Sequence, residues 1–272
     1  MLERTTFTYT GKPDDLAPTP QRREAWARDK FFIVRNLLPK EPLVALAEKT
    51  LAEYGQRPAQ PLGGSLSGHI NFSTGEFGRQ IAQMMRDRGL IDLIDELHGQ
   101  QMEWDASGGN LNLPGSHRQH YHMDSNYHDE FIAVMVSLVP TSLQNGAIEL
   151  FAESFQRRWK YAEFITSDLP KKGFRPTMGV GDILVRSSCV WHRGMPNLTQ
   201  TPRPWLTYGM RPKGAVNAKA DPFAGNGVEF KSNFYTAGWK GKVKENLVVH
   251  AHWLYSAMRA VRSLSAAPDS AS

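Results

Sequence analysis

The chain has a single cysteine, Cys189, among its 272 residues, so it can form no intrachain disulfide and no multi-cysteine zinc or iron–sulfur site. It has no apolar run long enough to span a bilayer and no charged-then-apolar start of the signal-peptide kind, which predicts a cytoplasmic protein with no membrane partner. A basic block interleaved with aromatics is missing too. The net charge of +5 and the pI near 9.3 come from scattered pairs such as Arg22-Arg23, Arg157-Arg158 and Lys171-Lys172. That pattern predicts a solvated surface with no nucleic-acid partner, mildly favouring anionic small molecules. There is no internal repeat and no heptad run. Any metal must therefore rest on histidine and carboxylate.

What is present is enough for one large core, and residues 1–272 read as a single domain. Residues 1–20 have no periodicity and read as an extended N-terminal arm. Helical composition at Gln21 to Arg28 leads into the apolar run Phe31-Phe32-Ile33-Val34, a buried strand. A helix follows from near Lys40, with Leu43, Leu46, Ala47 and Leu51 on one face. Residues 55–75, rich in Gly, Pro, Ser and Gln, read as a long functional flap. A helical surface then runs from Ile81 through Leu97 to Gly99.

From Met102 the period changes to that of strands. Trp104, then Ser107-Gly108-Gly109, then Asn110 to Leu113 read as strand, bulge and strand. Phe131 to Val139 is a central strand, Asn145-Gly146 a turn, and Ala147 to Phe151 a strand. Residues 154–178 form a polar, basic and aromatic excursion. Asp182 to Ser188 and Trp205 to Arg211 are further strands, and 246–264 is a C-terminal helix. Helices at both ends around a block of short strands indicate a β-rich core dressed with helices.

The stretch His120-Tyr121-His122-Met123-Asp124 concentrates the chemistry. In a strand, residues i and i+2 share a face, so His122 and Asp124 project together and supply two ligands of a two-histidine, one-carboxylate metal site. Taken alone, His-x-Asp is as often a chance feature of a polar loop. The chain also offers a third ligand, His192, just after a strand and beside Gly194, and an anchor, Arg203, eleven residues later at the head of the next strand. A guanidinium is a bidentate fork for a carboxylate, which suits the far end of an anionic cosubstrate.

Together these features resemble the phytanoyl-CoA dioxygenase family of iron(II)/2-oxoglutarate oxygenases. The resemblance covers most of the chain: Asp29 to Glu48, Gly89 to Gly99, Pro114-Gly115-Ser116 followed by His122-Met123-Asp124, then Asn145 to Glu149, Gly181-Asp182, His192, Pro196-Asn197 and Arg203. It implies a mainly β fold with flanking helices, a double-stranded β-helix (jelly-roll, cupin-like) barrel whose mouth holds the metal. It also implies Fe(II) on His122, Asp124 and His192, with Arg203 binding the distal carboxylate of 2-oxoglutarate and O2 as cosubstrate. In the family a lysine often precedes the Pro-Gly turn and assists 2-oxoglutarate; Asn112 stands there in this chain and is the corresponding candidate. The family's Pro-Gly-Ser-His after the Asn-Gly strand is replaced by Ala152-Glu153-Ser154-Phe155. Related halogenases replace the carboxylate with a small residue, so Asp124 argues for oxygenation.

The implied reaction is hydroxylation of an unactivated C–H bond in a small-molecule metabolite or natural-product intermediate, with release of succinate and CO2. Desaturation, epoxidation and cyclisation use the same cofactor chemistry. A cupin-like metalloenzyme without 2-oxoglutarate would leave Arg203 unexplained, and a non-catalytic barrel would be expected to lose a ligand. Tyr127, the 61–75 segment, and Phe234, Tyr235 and Trp239 are candidates for the substrate mouth. His120 shares parity with His122 and is a further candidate there. Neither the substrate nor the oligomeric state follows from the sequence.

Overall fold

The computed structural model describes residues 2–56, 68–215, 221–230 and 238–265. Helix α1 (Leu2–Thr5) and strand β1 (Thr6–Thr8) open the chain, and β1 pairs in parallel with β2 (Phe31–Arg35). The N-terminal arm is thus partly ordered by the sheet edge. Between them lies α2 (Pro20–Asp29), started by Thr19, whose hydroxyl accepts the Arg22 amide proton, with Pro20 preset at the first helical position. It stops at Lys30, which is left-handed at φ 53°. Next come α3 (Lys40–Gly55), β3 (His69–Ser73), α4 (Glu76–Asp87), α5 (Leu90–His98) and β4 (Met102–Asn112).

Three expectations change here. Residues 57–67 of the proposed flap lie outside the described residues, and the 69–73 part of it is a strand paired with β4. The long helical surface is two helices, because Gly89 at φ +81° reverses the chain between them. β4 is one strand whose register shifts between Trp104 and Ala106, whereas Ser107-Gly108-Gly109, expected as the bulge, pairs regularly with Tyr208, Thr207 and Leu206.

The rest of the chain supplies β5 (Ile132–Ser137), β6 (Glu149–Leu150), α6 (Tyr161–Thr166), β7 (Ile183–Ser187), β8 (His192–Arg193), β9 (Arg203–Pro212), β10 (Glu229–Phe230), α7 (Gly238–His250) and α8 (His252–Ser265). The expected C-terminal helix is therefore a pair, α7 and α8. Eight strands form one sheet in the order β1-β2-β7-β5-β9-β4-β3-β10, antiparallel except at β1/β2. Opposite it, β6 pairs with β8, and single bridges His122↔His192 and Leu150↔Phe174 extend this small sheet on both sides. The two sheets make a jelly roll. The small sheet is sparse: the expected strand Ala147–Phe151 is reduced to two residues, and His120–Asp124 is a loop touching β8 through one bridge.

Strand parity divides the core. On β2, Phe31 and Ile33 face the small sheet and meet Leu150, Leu184, Val190 and Trp205. Phe32 and Val34 face the other way and pack with Leu43, Leu46, Ile81, Met85 and Leu93 of the helices. A third cluster, Phe151, Tyr161, Phe164 and Trp191, lies outside the small sheet, with the Phe164 and Trp191 rings stacked at 4.1 Å. Each such side chain removed from water stabilises the fold by roughly 1.5–3 kcal/mol. Among the described residues no helix is long and apolar enough to cross a membrane.

Candidate metal centre and its cavity

His122 and His192 face each other across the small sheet, exchanging backbone hydrogen bonds of 3.0 and 2.9 Å, with ring centroids 4.3 Å apart. Each ring is oriented from behind. Nδ1 of His122 lies 2.9 Å from the carbonyl of His120, and Nδ1 of His192 lies 3.0 Å from that of Val190. A carbonyl only accepts, so both Nδ1 atoms carry the proton and both Nε2 lone pairs face the centre. Asp124, whose amide is tied to the carbonyl of Ser188 at 2.9 Å, brings Oδ1 to 3.7 Å from Nε2 of His122 and 3.4 Å from Nε2 of His192. One donor atom from each residue lies within 4.8 Å of the others. Ligands of a divalent ion at right angles sit about 3 Å apart, so a small inward shift closes this set on a metal. Two neutral imidazoles and one carboxylate fit a ferrous ion with open positions on its other face.

The surroundings of His122 and Asp124 favour their deprotonated forms. Burial, with the neighbouring His192 ring, lowers His122 to about 3. Burial alone would raise the Asp124 carboxyl, but Arg186 and the two histidines overcome it and hold it well below the usual carboxylate range. The guanidinium of Arg186 donates from Nη2 to Oδ2 of Asp124.

The three residues stand in the wall of a cavity of about 540 Å³ between the sheets, which Phe131, Met135, Trp205 and Thr207 also line. Arg203, Trp205, Thr207 and Gly209 share the inward face of β9 by strand parity, so Arg203 reaches the same cavity as the histidines. It is 6% exposed, and its Nε and Nη2 donate to the carbonyls of Asn145 and Gly146 at 3.0 and 3.1 Å. Burial lowers it to about 10, and among the described residues no carboxylate pairs with it. Among the described residues its hydrogen bonds go to carbonyls alone, with the Trp205 ring 5.2 Å away, and a cation so placed can receive an anion.

The other candidates lie elsewhere. Asn112 is fully buried but does not line the cavity: its amide donates to the carbonyl of Met195 and accepts from the Ser116 hydroxyl, behind Gly146. It shapes the turn that seats Arg203. Tyr127 points away, its hydroxyl bridging the Arg157 carbonyl and the Trp159 amide. His120 stands beside His122, ring centroids 5.3 Å apart, but does not line the cavity; it packs against Tyr255 of α8, and its Nε2 accepts from Arg259 at 2.8 Å. Trp239 is 71% exposed at the start of α7, away from the cavity. Phe234, Tyr235 and residues 61–67 lie outside the described residues.

The cavity also contains residues the sequence reading passed over. His69 on β3 is buried, donates Nε2–H to the carbonyl of His117, and is lowered to about 4 by burial and then by Arg203. Gln119 accepts the Gly194 amide proton at 2.8 Å. Arg186 had a legible signal: it interrupts the apolar strand Ile183-Leu184-Val185 at an inward position. His69 had none, since its strand adjoins a Gly- and Ser-rich segment.

No protein-family model matches the chain. The fold is shared with solved non-heme enzymes. The α-ketoglutarate-dependent epimerase SnoN from nogalamycin biosynthesis, in a complex with Fe3+, α-ketoglutarate and nogalamycin RO, is 15% identical at a TM-score of 0.57, over 84% of this chain and 98% of that one. HygX from Streptomyces hygroscopicus, with nickel, 2-oxoglutarate and hygromycin B bound, is 14% identical at a TM-score of 0.56, over 72% and 88%. The α-ketoglutarate-dependent carbocyclase SnoK is 10% identical at 0.54, over 71% and 83%. At these identities the shared property is the jelly-roll architecture, and the narrower resemblance to phytanoyl-CoA dioxygenases finds no family match.

Proposed function

We propose that this chain is an Fe(II)- and 2-oxoglutarate-dependent oxygenase that hydroxylates an unactivated C–H bond of a small-molecule metabolite or natural-product intermediate. One observation carries the reading: two Nε2 lone pairs and Asp124 Oδ1 converge in the wall of a cavity that also holds a buried Arg203 with no carboxylate partner among the described residues. Bound there, ferrous iron supplies dioxygen activation coupled to decarboxylation of 2-oxoglutarate to succinate and CO2. His122 and His192 hold it through Nε2 and Asp124 through Oδ1. The carbonyls of Asn145 and Gly146 fix the Arg203 fork, which takes the distal carboxylate of the cosubstrate. Phe131, Met135 and Trp205 are apolar walls that keep water from the reacting carbon. The same fold carries an epimerase and a carbocyclase, so cyclisation, desaturation and epoxidation are alternative outcomes of the same cofactor chemistry.

The test is anaerobic addition of ferrous iron and 2-oxoglutarate, following the weak visible charge-transfer band of the chelate. The expected result is a band in the parent that is lost in His192→Ala and needs about tenfold more 2-oxoglutarate in Arg203→Ala. Iron binding without a band at any 2-oxoglutarate concentration would reject the assignment in favour of a cupin-like metalloenzyme. Substrate screens then read succinate, and the product mass separates oxygen insertion from loss of two hydrogens.

A further inference from the structure

Arg186 is the most expensive residue in the interior of the barrel. It is 2% exposed on the inward face of β7, next to Leu184 on that face, where a charge is tolerated only if it is met. Its contacts are directional. Nη1 donates to the Ser187 carbonyl at 3.2 Å, Nη2 donates to Asp124 Oδ2 and lies 3.3 Å from Nε2 of His192, and the buried Nε–H has no partner among the described residues. The guanidinium is therefore seated to serve Asp124 at the cost of its own saturation. The two carboxylate oxygens are divided: Oδ1 is turned to the histidine Nε2 atoms, and Oδ2 is taken by the arginine.

We propose that Arg186 is the positioning residue of the metal centre: by occupying Oδ2 it confines Asp124 to one-oxygen ligation and keeps a position free for dioxygen beside a chelating 2-oxo acid. A carboxylate released from this contact can swing to bind an ion through both oxygens, as carboxylates commonly do on divalent cations. Two histidines with a bidentate carboxylate occupy four positions of an octahedron, leaving two, so a chelating cosubstrate would leave none for dioxygen. When a metal takes the Nε2 lone pair of His192 the arginine loses that contact but keeps Oδ2. The arginine also offsets the carboxylate charge, so its removal does not weaken attraction for the cation.

The inference rests on the cofactor reading above, and its test separates the two. Arg186→Met and Arg186→Gln are compared with the parent for manganese(II) affinity by calorimetry, for decay of the iron–2-oxoglutarate band when air is admitted, and for Asp124 ligation in crystals grown with cobalt(II). The expected result is metal affinity equal to the parent or tighter, a retained band that decays about tenfold or more slowly than the parent's in air, and two Asp124 oxygens on cobalt. Arg186→Lys, which keeps a charged donor, should recover part of the decay rate. One-oxygen ligation in both neutral variants, parent-like decay of the band in air, or loss of the native fold in both would overturn the proposal. A parent with one-oxygen ligation but no iron band would sink the cofactor reading and leave the positioning role standing.

Discussion

At His122 and His192 the proton-bearing nitrogen is tied to a carbonyl two residues upstream, so neither ring can present the wrong nitrogen to the centre without breaking a hydrogen bond. His69 is governed by burial instead. Its folded value of about 4 lies below the ordinary 6.5, first through burial and then through Arg203. Between pH 6.5 and about 4 the unfolded chain holds a proton that the folded chain does not, so stability falls as the pH falls through that window. At pH 5 the loss is on the order of 2 kcal/mol for this residue, and His122, lowered to about 3, acts in the same direction. We expect the melting temperature of the metal-free protein to drop from pH 7 to pH 5, with a shallower drop in His69→Gln. Equal slopes in the two proteins would show that His69 does not govern this acid sensitivity.

At the scale of elements, the site is built by strand parity and one turn. β9 aims Arg203 inward because Trp205 and Thr207 share its face, and β7 does the same for Arg186. The turn after Asn145 seats Arg203 through two carbonyls, and it needs Gly146: φ is +88°, and a Cβ there would meet Asn112 Nδ2 at 2.2 Å and the Met195 carbonyl at 2.7 Å. Gly146→Ala should fold with a loss of about 1–2 kcal/mol, bind metal as the parent does, and require several-fold more 2-oxoglutarate. Calorimetry for the metal and the iron band for the cosubstrate would check this. At α2, Thr19→Ala should cost about 1 kcal/mol in denaturant unfolding and leave both affinities unchanged, because its cap is remote from the cavity. α8 braces the centre indirectly, through Arg259 and Tyr255 against His120.

Over the whole molecule, the large sheet is a wall with helices behind it, and the small sheet carries two of the three proposed metal donors, with Asp124 in the adjoining loop. Binding that requires these three residues in their folded arrangement stabilises the folded chain, by about 2.7 kcal/mol at a hundredfold excess over the dissociation constant. A redox-inert divalent metal should therefore raise the melting temperature of the parent by several degrees and have no such effect in His122→Ala, as read by scanning calorimetry. The residues alone located strands at Phe31–Val34, Phe131–Val139 and Asp182–Ser188, which the fold realises as Phe31–Arg35, Ile132–Ser137 and Ile183–Ser187, because apolar β-branched and aromatic runs can be buried in only a few ways. They also determined which side chains could ligate, since one cysteine leaves only histidine and carboxylate, and the spacing of His122, Asp124, His192 and Arg203 was legible without coordinates. Only the tertiary structure decided what surrounds them. Asn112, Tyr127 and His120 are polar residues near the motif whose direction depends on partners distant in sequence, at Met195, Trp159 and Arg259. Arg186 and His69 reach the cavity through strand pairing across the sheet, and pairing between distant segments is information that no local pattern of residues contains.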